Sequence, residues 1–137
     1  LTDRFAAGAL YAAVHRRKAP IKSVLLDQAV VAGLGNIYAN EALFRAGIDP
    51  RTPAQRISRA RCTALAKEIK QTLTEAIDAG GSSLRDYVGG DGMAGNFQSR
   101  FSVYGRAGES CTRCGAILRE LRQAQRATCF CPVCQKR

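Results

Sequence analysis

The 137-residue sequence has no apolar run approaching the length of a membrane span, and no charged-then-apolar leader opens it. Neither a spanning helix nor a secretory signal is therefore expected. It has a single histidine, His15, with no Ser/Asp or Cys partner pattern beside it, and its acids form no paired arrangement. Chemistry built on a histidine base or a carboxylate pair has no foothold, and nothing reads as a self-sufficient active site. Internal repeats are absent. Acidic residues are scarce, 11 against 21 Lys and Arg, which leaves a formal net charge of +10 and a pI near 9.8. That imbalance favours a polyanionic partner, with nucleic acid ahead of an anionic membrane or an acidic protein.

What is present is a globular composition, 46% hydrophobic and 23% charged, sized for one domain or two small ones. The chain opens on Leu1, which predicts processing or a piece of something longer. Residues 1–80 read as helices. Thr2 or Asp3 suits the cap of a first segment reaching about His15, followed by the basic cluster Arg16, Arg17 and Lys18. Ala19-Pro20 breaks it, and Ile21–Leu26 reads as one short helix. The clearest helix starts after Ser58. Cys62, Leu65, Ala66, Ile69, Leu73, Ala76 and Ile77 share one face at helical spacing, and Gly80-Gly81 supplies its stop. Arg59, Lys67, Glu68, Lys70 and Gln71 fall opposite, as a solvated surface.

Between these helices, Gly33 and Gly35 permit tight turns, and Asn36 is a good N-cap for a helix reaching about Ala46. A glycine turn opening a helix offers unpaired N–H groups to a phosphate oxygen, or it is a plain helix–turn–helix corner. Gly89–Asn96 holds four glycines in eight residues, so it is a linker or a mobile functional loop. Alternation from Phe101 to Tyr104 predicts a short strand.

Four of the six cysteines form two tight pairs, Cys111-Thr112-Arg113-Cys114 and Cys131-Pro132-Val133-Cys134, sixteen residues apart. Each Cys-x-x-Cys turn aims two sulfurs at one ion, and the hairpin between them folds back to complete a tetrahedron. The pattern predicts one closed, structural zinc in a reducing cytosol, without which so small a hairpin could hardly fold. Cys129, two residues before Cys131, is a competing ligand that the paired knuckle disfavours, and Cys62 belongs to a helical core face. Ile117–Arg122 and Arg126–Phe130 read as two strands joined near Gln123-Ala124-Gln125. In 105–137, Arg106, Arg113, Arg119, Arg122, Arg126, Lys136 and Arg137 stand against only Glu109 and Glu120, half of the chain's excess charge in its last quarter. A zinc hairpin with arginines near its turn suits a nucleic-acid groove.

Several of these segments together resemble the formamidopyrimidine-DNA glycosylase family: Gly33-Leu34-Gly35-Asn36-Ile37-Tyr38-Ala39-Asn40-Glu41, the glycine-rich loop, Val103-Tyr104-Gly105-Arg106 with Gly108-Glu109, and Gln125-Arg126-Ala127-Thr128. The likeness covers essentially the whole chain and fits the C-terminal half of that enzyme. Endonuclease VIII shares the architecture, but the Asn-Ile-Tyr-Ala-Asn-Glu run fits the formamidopyrimidine branch better. The resemblance implies a mainly α fold: a helix–two-turn–helix domain over 1–88, a lesion-recognition loop and connector over 89–102, and a four-cysteine zinc-finger β-hairpin over 103–137.

It further implies a bifunctional base-excision repair enzyme, a bacterial cytoplasmic, nucleoid-associated monomer acting on damaged double-stranded DNA. Such an enzyme removes 8-oxoguanine and formamidopyrimidines, then cleaves the strand by β- and δ-elimination. Asn36 matches the family's phosphate-holding asparagine. Arg126 matches the zinc-finger arginine that grips phosphate and is assigned as proton donor in δ-elimination. Lys18, with Lys22 nearby, and Arg85 match basic DNA-contacting positions, and the loop from about Gly89 to Phe97 matches the one that covers the flipped base. Cys111, Cys114, Cys131 and Cys134 match the zinc ligands. Ala29, Asn96 and Cys129 depart from residues frequent in the family. The family's catalytic proline, glutamate and lysine lie in an N-terminal domain outside these residues, so the chain alone is expected to bind DNA without excising. A free-standing zinc-containing RNA-binding module is the alternative, and a zinc-ribbon protein-interaction module comes third.

Overall fold

The computed structural model describes residues 7–31, 33–78 and 101–137. Its elements run α1 (Ala7–Val14), α2 (Ile21–Leu25), α3 (Asn36–Ala46), a 3-10 turn (Ala54–Arg56), α4 (Arg59–Asp78), β1 (Arg119–Gln123) and β2 (Arg126–Phe130). The mainly α class with a small terminal hairpin matches the sequence expectation.

Helix α4 is the floor of the helical part. Ser58 Oγ caps it by accepting from the Arg61 N–H at 3.2 Å. Cys62, Leu65, Ala66, Ile69, Leu73 and Ala76 are buried as their spacing predicts, while Arg59, Lys67, Lys70 and Gln71 face solvent. Against that face pack Leu10 and Val14 of α1 and Ala39, Ala42 and Leu43 of α3, with Ile21, Val24 and Leu25 of α2 closing the same core. Truncating one of its leucines to alanine removes about 2–5 kcal/mol, because the transfer and cavity terms add. Pro20 opens α2, and its segment is tied to the 3-10 turn by a bridge to Pro53.

The hairpin pairs Gln123 with Arg126 and Arg119 with Phe130, leaving a two-residue turn of Ala124 (φ 51°) and Gln125 (φ 66°). Both residues sit in the left-handed region that such turns demand, without the glycine that would relieve it. The Arg122 guanidinium donates to the Gln125 carbonyl at 2.9 Å and braces the turn.

The zinc-finger part is docked onto the helices through its last residues. The Asp49 N–H donates to Lys136 O and the Lys136 N–H to Gly47 O, each at 3.0 Å. Gln135 receives the Cys131 N–H on Oε1 at 2.7 Å and donates from Nε2 to Ile48 O at 2.9 Å, linking a knuckle to the end of α3. Gly47 ends α3 beside this contact with φ at +72°, the left-handed region that favours glycine, and a Cβ there would lie 3.4 Å from the Cys134 carbonyl.

Three expectations change. Asn36 is not the N-cap: Gly35 holds that position, no side chain caps α3, and the Asn36 amide is engaged elsewhere. Phe101–Tyr104 forms no strand, because the N–H groups of Ser102, Val103 and Tyr104 all turn onto the Glu41 carboxylate at 2.7–2.9 Å instead of a ladder. The first hairpin strand starts at Arg119, since Ile117 is spent on an isolated bridge with Ser110. The predicted start of the first helix, the Gly80-Gly81 stop, Arg85 and the glycine-rich loop with Asn96 lie outside the described residues.

Candidate nucleic-acid interface and metal centre

The turn before α3 is built by two side chains. Asp27 accepts the Ala29 N–H on its carboxylate at 2.9 Å, which with Arg17 holds its carboxyl below the usual range. Gln28 accepts the Gly33 N–H at 2.8 Å and donates to Leu26 O and Leu34 O at 3.3 Å, stapling the loop closed. Gly33, at φ +86°, is the residue that requires glycine. Helix α3 thus starts at a fixed place with no side-chain cap, the arrangement that leaves first-turn N–H groups for an anion.

Across from this N-terminus lies the hairpin, and the contact is polar. The Ala127 carbonyl receives Lys22 Nζ at 3.0 Å, Asn36 Nδ2 at 3.1 Å and Asn40 Nδ2 at 3.5 Å. Lys22 also donates to Thr128 Oγ1 at 2.6 Å, and Thr128 donates onward to Gln123 Oε1 at 2.8 Å. Asn36 Oδ1 is buried with no hydrogen-bond partner. An orphaned buried acceptor costs about 1–3 kcal/mol.

The predicted contact residues divide here. Arg126 opens β2, is exposed, and makes no side-chain hydrogen bond among the described residues. Lys18 is also exposed, and its backbone is pinned. The Arg17 carbonyl beside it takes the Gln55 N–H at 2.8 Å, and the Ala19 carbonyl takes the Ala54 N–H at 2.9 Å. Lys22 is a correction. It is 1% exposed with two donors committed inside the protein, so it supports the hairpin from beneath and offers no surface amine. Burial pushes its pKa from the ordinary 10.5 down to about 8, with Cys129 opposing and the nearby Arg126 charge adding to the fall. A lysine in a basic segment gave no sequence signal of this, because α2 is too short to display a period.

Sequence reasoning also missed Asn40 and Glu41, which follow Asn36 on α3 and are 1% and 3% exposed. Glu41 gathers the connector before the zinc finger through its three backbone donors. Two adjacent polar residues, Asn40 and Glu41, in the middle of α3 were the available sign. Ala29 is exposed, and His15 is an exposed residue stacked on Tyr11 at 5.0 Å with an 8° interplanar angle.

The metal centre follows the spacing. Cys111, Cys114, Cys131 and Cys134 place their sulfurs within 4.8 Å of one another, with Cys111–Cys134 at 3.8 Å and Cys114–Cys131 at 3.5 Å. A tetrahedral ion with Zn–S bonds near 2.3 Å separates its sulfurs by about 3.8 Å, so the donor set and its size both fit one zinc. Burial followed by the neighbouring thiols pushes Cys134 up to about 12. For Cys111, burial raises the pKa, but hydrogen bonds led by the Cys114 and Arg113 N–H groups outweigh it and leave about 7. Cys129 is 2% exposed beside the cluster and outside the ligand set, and Cys62 is fully buried in the helical core. Among the described residues no helix is long and apolar enough to cross a membrane.

Comparison with known proteins agrees with this geometry. The family described as "Formamidopyrimidine-DNA glycosylase H2TH domain" matches residues 1–88, and "Zinc finger found in FPG and IleRS" matches residues 108–137. A formamidopyrimidine-DNA glycosylase of Pseudomonas paraeruginosa is 55% identical over 136 residues, covering 99% of this chain and 50% of the relative. That of Dechloromonas aromatica is 53% identical, covering 98% and 49%. The chain spans about half the length of the curated relatives it matches. The crystal structure of Lactococcus lactis formamidopyrimidine-DNA glycosylase bound non-covalently to AP-site DNA superposes with a TM-score of 0.86 at 35% identity, covering 100% of this chain and 48% of that one. The Thermus thermophilus MutM (Fpg) protein gives a TM-score of 0.86 at 41% identity, covering 98% and 52%.

Proposed function

The chain belongs to the formamidopyrimidine-DNA glycosylase family, and from that premise we propose that it is the DNA-binding half of a glycosylase/AP lyase acting on oxidised purines in duplex DNA. The whole enzyme would release 8-oxoguanine or a formamidopyrimidine and cleave the abasic strand by β- and δ-elimination. These 137 residues hold none of the N-terminal catalytic residues that the resemblance implies, so by themselves they bind a damaged duplex and form no Schiff base. The three-part division at 1–88, 89–102 and 103–137, the monomeric state and the cytoplasmic, nucleoid-associated setting belong to the same proposal.

One observation carries the reading: at the uncapped start of α3, Asn36 donates across a polar seam to the carbonyl of Ala127, the residue that follows the exposed Arg126. A phosphate at this seam would take backbone N–H groups of α3 and the Arg126 guanidinium. Asn36 Nδ2 would reach a phosphate oxygen by swinging away from Ala127 O, which keeps Lys22 and Asn40 as donors. Lys18, held on its pinned loop, and Arg85 would add contacts to the DNA backbone. Flipping a nucleotide costs a few kcal/mol, and such phosphate grips are what offset it. Arg126 as proton donor for δ-elimination is carried over from the family. Zinc's part is structural: the four thiolates tie both knuckles together and so hold the hairpin that carries Arg126.

The test is fluorescence anisotropy with the zinc-loaded chain and matched duplexes, one undamaged and one with a stable abasic-site analogue. Tighter abasic binding that disappears in Asn36→Ala and Arg126→Ala supports the reading. Preference for structured RNA would replace it with the RNA-module reading.

A further inference from the structure

We propose that Asn40 is a positioning residue for the phosphate site, its carboxamide acting as a one-residue substitute for a neighbouring β-strand that fixes the register of the hairpin on α3. The inference rests on the reading of the Asn36–Arg126 seam as a phosphate site.

The argument starts from the ladder. In a hairpin with a two-residue turn, paired residues alternate between exchanging hydrogen bonds with the partner strand and pointing those groups outward. With Gln123 and Arg126 flanking the turn, Ala127 and Cys129 are the outward-facing residues of β2. Their free edge faces α3. On α3, Asn36 and Asn40 lie four residues apart on one side of the helix.

Asn40 meets both outward groups. Its Oδ1 accepts the Cys129 N–H at 2.8 Å, and its Nδ2 reaches toward Ala127 O at 3.5 Å while donating to Asn36 O at 2.8 Å. An amide side chain thus presents the same acceptor and donor that an added strand would present. The residue is 1% exposed, so water cannot stand in for it. Arg126 lies on the same strand, three residues before Cys129. A shift of the hairpin by one residue would move Arg126 about 3.3 Å and bring inward-facing groups to α3, leaving the Asn40 carboxamide unmatched. Asn40 therefore touches no DNA in this account, yet sets where Arg126 stands relative to Asn36.

The experiment is a double-mutant cycle on the zinc-loaded 137-residue chain, reading affinity for an abasic-analogue duplex by anisotropy. Asn40→Ala, Arg126→Ala and the double variant are compared, with zinc content and amide exchange of Cys129 measured on each. Asn40→Asp, which keeps the acceptor for Cys129, is carried alongside in case Asn40→Ala fails to bind zinc. Asn40→Ala is expected to weaken binding roughly tenfold and to unprotect the Cys129 amide with zinc retained, while Asn40→Asp keeps Cys129 protected. In the Arg126→Ala background the same change is expected to cost little, because the group it positions is gone. An equal loss in both backgrounds, or unchanged affinity in Asn40→Ala, overturns the positioning role. Insensitivity of the parent chain to Asn36→Ala and Arg126→Ala would instead overturn the phosphate reading itself, and this role with it.

Discussion

Replacing Lys22 by methionine separates a lysine that grips DNA from one that is buried under the hairpin. The residue is 1% exposed, and burial above all brings its pKa down to about 8 against an ordinary 10.5. A folded-state pKa below the unfolded value means that the unfolded chain binds the proton more tightly. Folding stability is therefore lowered below pH 8 and regained as pH rises toward 10.5. Integrating that linkage from about pH 7.5 to about pH 9.5 gives a gain of about 2 kcal/mol for the parent chain from this group alone.

Methionine keeps the volume. Ala127 O retains Asn36 and Asn40, and Thr128 keeps its own donation to Gln123 Oε1 while losing the Lys22 donor. Near pH 7.5 the variant should be at least as stable as the parent, as expected when a buried charge gives way to a hydrocarbon. Urea unfolding of both zinc-loaded chains across this range measures the difference and cancels the titration of the thiols, which both share. The parent should gain about 2 kcal/mol on the variant by about pH 9.5. A difference that stays flat with pH would refute the reasoning, because Lys22 would then be solvated.

Arg126→Ala should weaken duplex binding roughly 10- to 100-fold, lower the slope of log K against log salt by about one, and leave zinc content unchanged. Anisotropy at several salt concentrations checks all but the zinc, which a metal assay reads. Glu41→Gln should destabilise the fold by about 2–3 kcal/mol in urea unfolding, since one buried carboxylate serves three backbone donors of the connector. Cobalt titration should saturate at one ion per chain with a tetrahedral thiolate spectrum. Metal should be lost on acidification, because protons compete for the sulfurs and Cys134, pushed up to about 12, must ionise to bind.

The fold was legible wherever one local rule dominated. The face from Cys62 to Ala76 follows helical spacing because a single helix lies on a single core, and the two cysteine pairs are legible because zinc geometry fixes their separation. The hairpin was legible to within two residues. Legibility failed where a side chain replaced regular pairing. Phe101–Tyr104 alternates like a strand, but its donors are taken by Glu41, some sixty residues away in sequence. Asn36 has the chemistry of a cap, yet the hairpin competes for its amide. Lys22 looks like every other surface lysine until the tertiary fold covers it. The candidate site is the meeting of α3 with β2, some ninety residues apart, and only the resemblance connected those segments before the structure did.

The measurement that bears most directly on the central claim is the affinity of the zinc-loaded chain for an abasic-analogue duplex against its undamaged match, repeated with Asn36→Ala and Arg126→Ala. A preference for the abasic duplex that both substitutions abolish is the predicted result. Equal binding to the two duplexes, unaltered by either substitution and dependent only on salt, would contradict it.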